Sequence, residues 1–406
     1  MTRPIPGLQY DWTAPALVHF GWGRRIELAK TVRTISGANS SGAPANRAFI
    51  QGGSRTLAAT TAYADLLRSL RDDGLQVVEL PVQSREPLVE DVDAAVMLLR
   101  TAGAGPGDVV VAIGGGSAID LAKAAAAVSV QPHSQNIGDY LEGVGRGLTL
   151  QVRPLPVVAL PTTGGTGTEA TRNAVITGVR PAFKKSLRSI LLVPSAVLID
   201  PELGVTVPAN VTAWSGMDAI TQLIESFVSC RRSPLPQALA REALPAAWNS
   251  LPVAVRNGSH RPAREALAHA AFVSGLCLAN SGLGLAHGVA AALGSQHGVP
   301  HGLACAALLP LSIRANLSAV RPLYAELALL VGAAPPESDP DLAAPLLLDA
   351  VYNLLAELEI PSRLAAFGVK REHLDALAEG SQGNSLNGNP RPIRTDELRR
   401  LLETAL

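Results

Sequence analysis

Apolar residues in the first half of the chain fall into short runs that alternate with longer helical patterns. Residues 47–51, 77–80, 108–113, 155–160 and 190–199 read as strands, and an edge strand is expected within 14–23. The run Val109-Val110-Val111-Ala112-Ile113 is apolar throughout, as a strand covered on both faces must be. Helical patterns over 24–35, 56–73, 92–102 and 118–128 separate these strands. Such β-α alternation predicts a parallel sheet with helices on both faces. From Pro208 onward the strand signals nearly vanish, and Ala/Leu-rich helical runs continue to Leu406, broken at Arg232-Ser233-Pro234 and again over 332–340. The expected fold class is therefore α/β: a parallel-sheet domain over 1–203, then an all-helical domain over 204–406. Substrate and cofactor should meet in the cleft between them.

Composition narrows the function. Lys and Arg total 34 and Asp and Glu total 34, so the net charge is zero and nothing favours nucleic acid or an anionic membrane as partner. Mean hydropathy is positive at +0.22, but no uninterrupted apolar stretch reaches the length of a membrane span. The opening MTRPIPGLQYDWTAP lacks an apolar signal core, so a cytoplasmic location is expected. Cys230, Cys277 and Cys305 are odd in number and unclustered, which reads as reduced, buried thiols. Residues 36–46, rich in Ser, Gly, Ala and Asn, read as a flexible surface loop.

Two glycine turns follow strands and open helices. Gly114-Gly115-Gly116-Ser117 directly follows the most apolar strand, and Gly52-Gly53-Ser54-Arg55 follows the strand at 47–51. Strand, glycines and helix in that order let a pyrophosphate approach bare backbone N–H groups at a positive helix end. The spacing is not the GxGxxG fingerprint, so an ordinary Rossmann reading is the lesser candidate. A third segment, Pro161-Thr162-Thr163-Gly164-Gly165-Thr166-Gly167-Thr168-Glu169, offers hydroxyls and open backbone to a sugar. In the second half, His287 and His301 bracket a small-residue helix and turn, and Asp218 lies alone in an apolar helical pattern upstream. Imidazoles and a carboxylate together suggest a metal pocket.

GGGSAIDLAK at 114–123, PTTGGTGTE at 161–169, the helix around Asp218 and the run from His287 to His301 together resemble the iron-containing (group III) alcohol dehydrogenase family, within the dehydroquinate synthase-like superfamily. The resemblance spans nearly the whole chain. It implies a metal-assisted, NAD(P)-dependent alcohol dehydrogenase or aldehyde reductase acting on a small alcohol or aldehyde. Asp218, His287 and His301 would be the catalytic metal ligands, for Fe(II) or Zn(II), with Gln222 at the fourth ligand position where the family has a histidine. A second departure is Ala291, where the family carries a further histidine near the substrate; His297 is a candidate replacement or a surface residue. Cofactor contacts are implied for Gly52, Gly53, Ser54, Gly114, Gly115, Gly116, Ser117, Asp120, Thr162, Thr163, Thr166, Asn173 and Lys184. Gly53 stands where NAD-specific members end the strand with a carboxylate, so NADP is favoured over NAD, with Arg55 available to the 2'-phosphate. Members of the family assemble as homodimers or larger homo-oligomers through the N-terminal domain. A dehydroquinate synthase-type lyase and a dinucleotide-binding homologue with lost or metal-free catalysis are the alternatives, the latter motivated by Gln222 and Ala291.

Overall fold

The structure is a computed structural model that describes residues 9–39, 47–180 and 182–406. Six parallel strands form the main sheet: β1 (Leu17–Phe20), β2 (Arg47–Gly52), β3 (Gln76–Glu79), β4 (Val109–Gly114), β5 (Val157–Pro161) and β8 (Ala196–Ile199). Their order across the sheet is β1-β8-β5-β4-β2-β3. The chain moves outward from β2 to β3 and then returns to the other side of β2 as β4. The β2/β4 boundary is therefore the point at which the winding reverses, where open parallel sheets carry their ligands.

Helices α1 (Leu28–Asn39), α2 (Arg55–Ala58), α3 (Thr61–Asp72), α4 (Val89–Thr101) and α5 (Gly116–Val128) connect the strands. Alternate side chains of the central strands feed two cores. Val110 and Ala112 point to the α4 and α5 side, whereas Val111 and Ile113 point to the α3 side. α5 is largely alanine and is buried from Ala118 to Val128, Lys123 included. Small side chains let it lie flush between the sheet and a neighbouring hairpin, and Lys123 is accommodated because its Nζ donates to the carbonyls of Thr168 at 3.0 Å and Thr171 at 2.9 Å. The helix expected over 56–73 is two helices, because the Thr60 side chain accepts from the Tyr63 N–H and starts α3 afresh.

Three other expectations are corrected. The strand expected over 190–199 is a short 3-10 turn, Ile190–Leu192, followed by β8 alone; Pro194 interrupts the stretch. The helix α1 continues through Asn39 into the expected loop, and 40–46 lie outside the described residues. An unexpected antiparallel hairpin, β6 (Asn173–Val179) and β7 (Ala182–Arg188), packs on α5 and carries Asn173 and Lys184. Its alternating burial is the ordinary signature of a half-covered strand.

Past a 3-10 turn at Pro201–Gly204 only helices remain: α6 (Ala209–Val228), α7 (Pro234–Arg256), α8 (Arg261–Ser281), α9 (Leu285–His297), α10 (His301–Asn316), α11 (Arg321–Leu330), α12 (Pro340–Glu357), α13 (Leu374–Gly380) and α14 (Thr395–Glu403). Proline in the first turn starts α7, α8, α11 and α12, where a missing N–H costs no hydrogen bond. No single helix among the described residues is long and apolar enough to cross a membrane.

Candidate metal and dinucleotide site

Asp218 sits mid-way along α6, His287 in the first turn of α9 and His301 at the first position of α10. Gly298, in the left-handed conformation with φ 68°, ends α9, and Pro300 starts the next helix. At Gly302 a side chain would strike the backbone carbonyl of Trp214, so α10 begins hard against α6 and His301 reaches Asp218. His287 Nε2 lies 3.1 Å and His301 Nε2 3.9 Å from Asp218 Oδ1. A fourth donor joins them. Cys305, one turn beyond His301 on α10, brings its Sγ to 3.7 Å from His301 Nε2. One ligand atom from each of Asp218, His287, His301 and Cys305 lies within 4.8 Å of all the others.

This cluster is set in a low-dielectric wall. Asp218, His287 and Cys305 are buried, and His301 is half-buried. Burial works against the Asp218 carboxylate, but His301 and His287 hold it below its usual range. Burial likewise opposes charge on His287, yet Asp218 and Glu225 hold the ring well above its ordinary value. Cys305 is pushed up to about 12 by burial, so in the metal-free chain it is a neutral thiol and the two carboxylates account for the His287 shift. His301 is pushed down to about 4 by burial, with Lys184 adding to that, and so presents a neutral imidazole. A carboxylate, two imidazoles and a thiol converging at one buried point fit a divalent cation.

Gln222 does not join this cluster. Its amide oxygen accepts from Ser274 Oγ at 2.7 Å and its amide nitrogen donates to the Thr166 carbonyl at 3.2 Å. The side chain lines the cleft but ties α6 to α8 and to the threonine-glycine loop. Two further residues escaped the sequence reading. Glu225, two turns after Asp218, faces His287 Nδ1 at 2.8 Å and accepts the N–H groups of Gly284 and Ala286 at 3.0 and 2.7 Å. Its signal was the seven-residue spacing from Asp218, which puts both carboxylates on one helical face. Cys305 reads from the sequence as a reduced, buried thiol, and it is buried; its four-residue spacing from His301 is the corresponding signal. Cys277 is buried as expected, whereas Cys230 is exposed. His297 closes α9 and packs at a tilt against His373, with ring centroids 4.9 Å apart, outside the cleft.

A cleft of about 410 Å³ runs from this cluster to the C-terminal end of the sheet. Gly115, Gly116, Ser117, Asp120, Thr163, Thr166, Asn173 and Lys184 line it, together with Asp218, Gln222, His287, Ala291 and His301. Asp120 contributes mainly structure: its carboxylate accepts the Val175 N–H at 3.1 Å, and burial pushes it up to about 6. Lys184 Nζ is paired with Glu86 at 2.7 Å across the cleft wall. Gly52, Gly53, Ser54, Gly114 and Thr162 are not part of the lining. A side chain on Gly53 would bring its Cβ to 2.6 Å from Gly114 Cα, so the two glycine turns touch at the β2/β4 boundary. Ser54 Oγ caps α2 by accepting the Leu57 N–H, and the Thr162 N–H donates to the Gly114 carbonyl at 3.0 Å.

Known proteins of the same shape and sequence pattern exist. Residues 15–201 match the model of the iron-containing alcohol dehydrogenases, and residues 212–406 match the C-terminal model of the Fe-containing alcohol dehydrogenase family. A probable alcohol dehydrogenase of Escherichia coli, EutG, is 34% identical over 82% of this chain and 81% of its own. An NAD-dependent methanol dehydrogenase of Bacillus methanolicus is 32% identical, covering 86% of this chain and 90% of that protein. A solved 1,3-propanediol oxidoreductase superimposes with a TM-score of 0.88 at 28% identity, over 98% of this chain and all of that one (100%). The parallel sheet with its reversed winding, the helical second half and these matches across both halves have one explanation: the chain belongs to the iron-containing alcohol dehydrogenase family.

Proposed function

We propose that this chain interconverts a small alcohol and its aldehyde with a nicotinamide dinucleotide, and that Asp218, His287 and His301 hold a divalent metal at the inner end of the cleft. One observation carries the proposal: the buried carboxylate-imidazole cluster and the glycine-rich strand ends line the same cleft. In this reading the N–H groups at the start of α5, over Gly115 to Ser117, receive the pyrophosphate. Thr163 and Thr166 meet the nicotinamide ribose, and Asn173 and Lys184 border the ring. A bound divalent ion supplies Lewis acidity toward the alcohol or carbonyl oxygen. The protein's own part is orientation: it sets the reacting carbon against the nicotinamide and keeps the cleft floor dry. Glu225 fixes the His287 ring so that Nε2 faces the cluster. Ala291 places no imidazole at that point of the cleft lining.

The coenzyme is NADP in preference to NAD. β2 ends at Gly52 and Gly53 follows it, no carboxylate stands there to repel a 2'-phosphate, and Arg55 opens α2 after Ser54. A homodimer or larger assembly through the N-terminal half belongs to the same reading; among the described residues β1 pairs only with β8.

The test is metal content followed by turnover. Untagged protein is analysed by inductively coupled plasma mass spectrometry as purified and after anaerobic loading with Fe(II) or Zn(II). Aldehyde reduction is then followed with NADPH. Near-stoichiometric metal and turnover, both lost in His301→Ala, are the expected result. Dinucleotide binding without metal uptake or turnover would replace this reading with that of a non-catalytic homologue.

A further inference from the structure

The residue that restores a fourth donor is not where the resemblance looked for it. Gln222, at the expected position, has both ends of its amide engaged, by Ser274 and by the Thr166 carbonyl. Turning its oxygen to a metal would break the 2.7 Å bond from a buried serine hydroxyl. Cys305 comes instead from the opposite side, on α10, one turn after His301. Residues four apart on a helix project from one face, so His301 and Cys305 form a single two-point clamp. The spacings suit a compact metal site: the separations are 3.1 Å for His287 to Asp218, 3.9 Å for His301 to Asp218 and 3.7 Å for His301 to Cys305, and all four donor atoms lie within 4.8 Å of one another. Sγ of Cys305 faces the His301 ring, at 3.7 Å from Nε2 and 4.0 Å from Nδ1. Its surroundings are Asp218, His287 and Glu225, a polar setting in an otherwise apolar helix.

We propose that Cys305 is the fourth protein ligand of the metal, bound as its thiolate, and that the site consequently selects zinc over iron. The proposal rests on the metal reading above. As the ion enters, the S–H bond of Cys305 gives up its proton to solvent and the sulfur lone pair forms the metal bond; no oxidant or reductant is involved. A soft sulfur donor in place of a neutral amide favours Zn(II), and with it Co(II) as a spectroscopic stand-in, over Fe(II) held by nitrogen and oxygen alone.

Chelator-stripped protein, kept reduced and anaerobic, is titrated with Co(II), and separately offered equimolar Zn(II) and Fe(II). The wild type should bind one Co(II) with a near-ultraviolet thiolate-to-cobalt charge-transfer band and retain mainly zinc in the competition. Cys305→Ser should lose the band, and its zinc-to-iron ratio should fall by about tenfold or more. X-ray absorption on the zinc-loaded wild type keeps the question open to test if the variant fails to fold: a sulfur neighbour at about 2.3 Å is expected. One bound metal with only nitrogen and oxygen neighbours, and no charge-transfer band, would overturn the role of Cys305 and leave the metal reading standing. No metal uptake by the wild type would overturn both.

Discussion

Glu225 Oε2 lies 2.8 Å from Nδ1 of His287, while Nε2 of the same ring lies 3.1 Å from Asp218 Oδ1. Both carboxylates come from α6, two helical turns apart, and the imidazole bridges them from α9. The ring is held at both nitrogens before any ion arrives, which removes the rotational freedom a ligand would otherwise lose. Glu225 also accepts the N–H groups of Gly284 and Ala286 and the hydroxyl of Ser312, the last at 2.8 Å, so its own position is fixed by the start of α9 and by α10. Glu225→Gln is expected to weaken metal retention by roughly 10–100-fold, read as the rate of loss to a chelator. Circular dichroism should be unchanged, because the amide oxygen still accepts at the start of α9.

The meeting of the two halves is tested at Gly167. This residue has φ 59°, and a Cβ there would lie 2.5 Å from Gly275 Cα on α8. Gly167→Val therefore meets a strained backbone conformation and a collision with a neighbouring helix together. Stability should fall by about 2–4 kcal/mol, measured by urea unfolding. Coenzyme affinity should fall with it, since Thr166 adjoins the site of change.

Coenzyme choice is read from Arg55. It is exposed at the first position of α2, beside the glycine turn that ends β2. Arg55→Ala should lower kcat/KM for NADPH by about tenfold, the equivalent of about 1.4 kcal/mol, while that for NADH changes little. Equal loss with both coenzymes would show that Arg55 does not read the 2'-phosphate.

Glu169 makes stability depend on pH. Burial raises its carboxyl from the ordinary 4.5 to about 7, even with Lys123 nearby. Below the unfolded value the group is neutral in both states and its contribution to folding is complete. As pH rises through about 7 the folded chain must hold a buried carboxylate, and that contribution is lost. Glu169→Gln should thus match the wild type near pH 4.5, within about 0.5 kcal/mol, and exceed it at pH 8 by on the order of 1–3 kcal/mol. Urea midpoints at the two pH values measure the difference.

The sequence by itself determined the layering and most of the cleft. Continuous apolar runs such as Val109 to Ile113 make buried parallel strands wherever they occur, and the glycine turns after them are local signals, legible without a partner. The same is true of the change to helix after Pro208 and of Asp218, His287 and His301, whose chemistry is carried by residue type. What only the tertiary structure decided is which donors share a point in space. Gln222 is drawn away from the Asp218, His287 and His301 cluster by Ser274 and Thr166, whereas Cys305 lies within it because α10 starts against the backbone of Trp214. Glu225 was equally hidden, since its partner His287 lies 62 residues away on another helix. Periodicity fixes the face of a helix on which a side chain lies. The crossing of that helix with its neighbours, set by packing over long sequence separations, decides what the side chain meets.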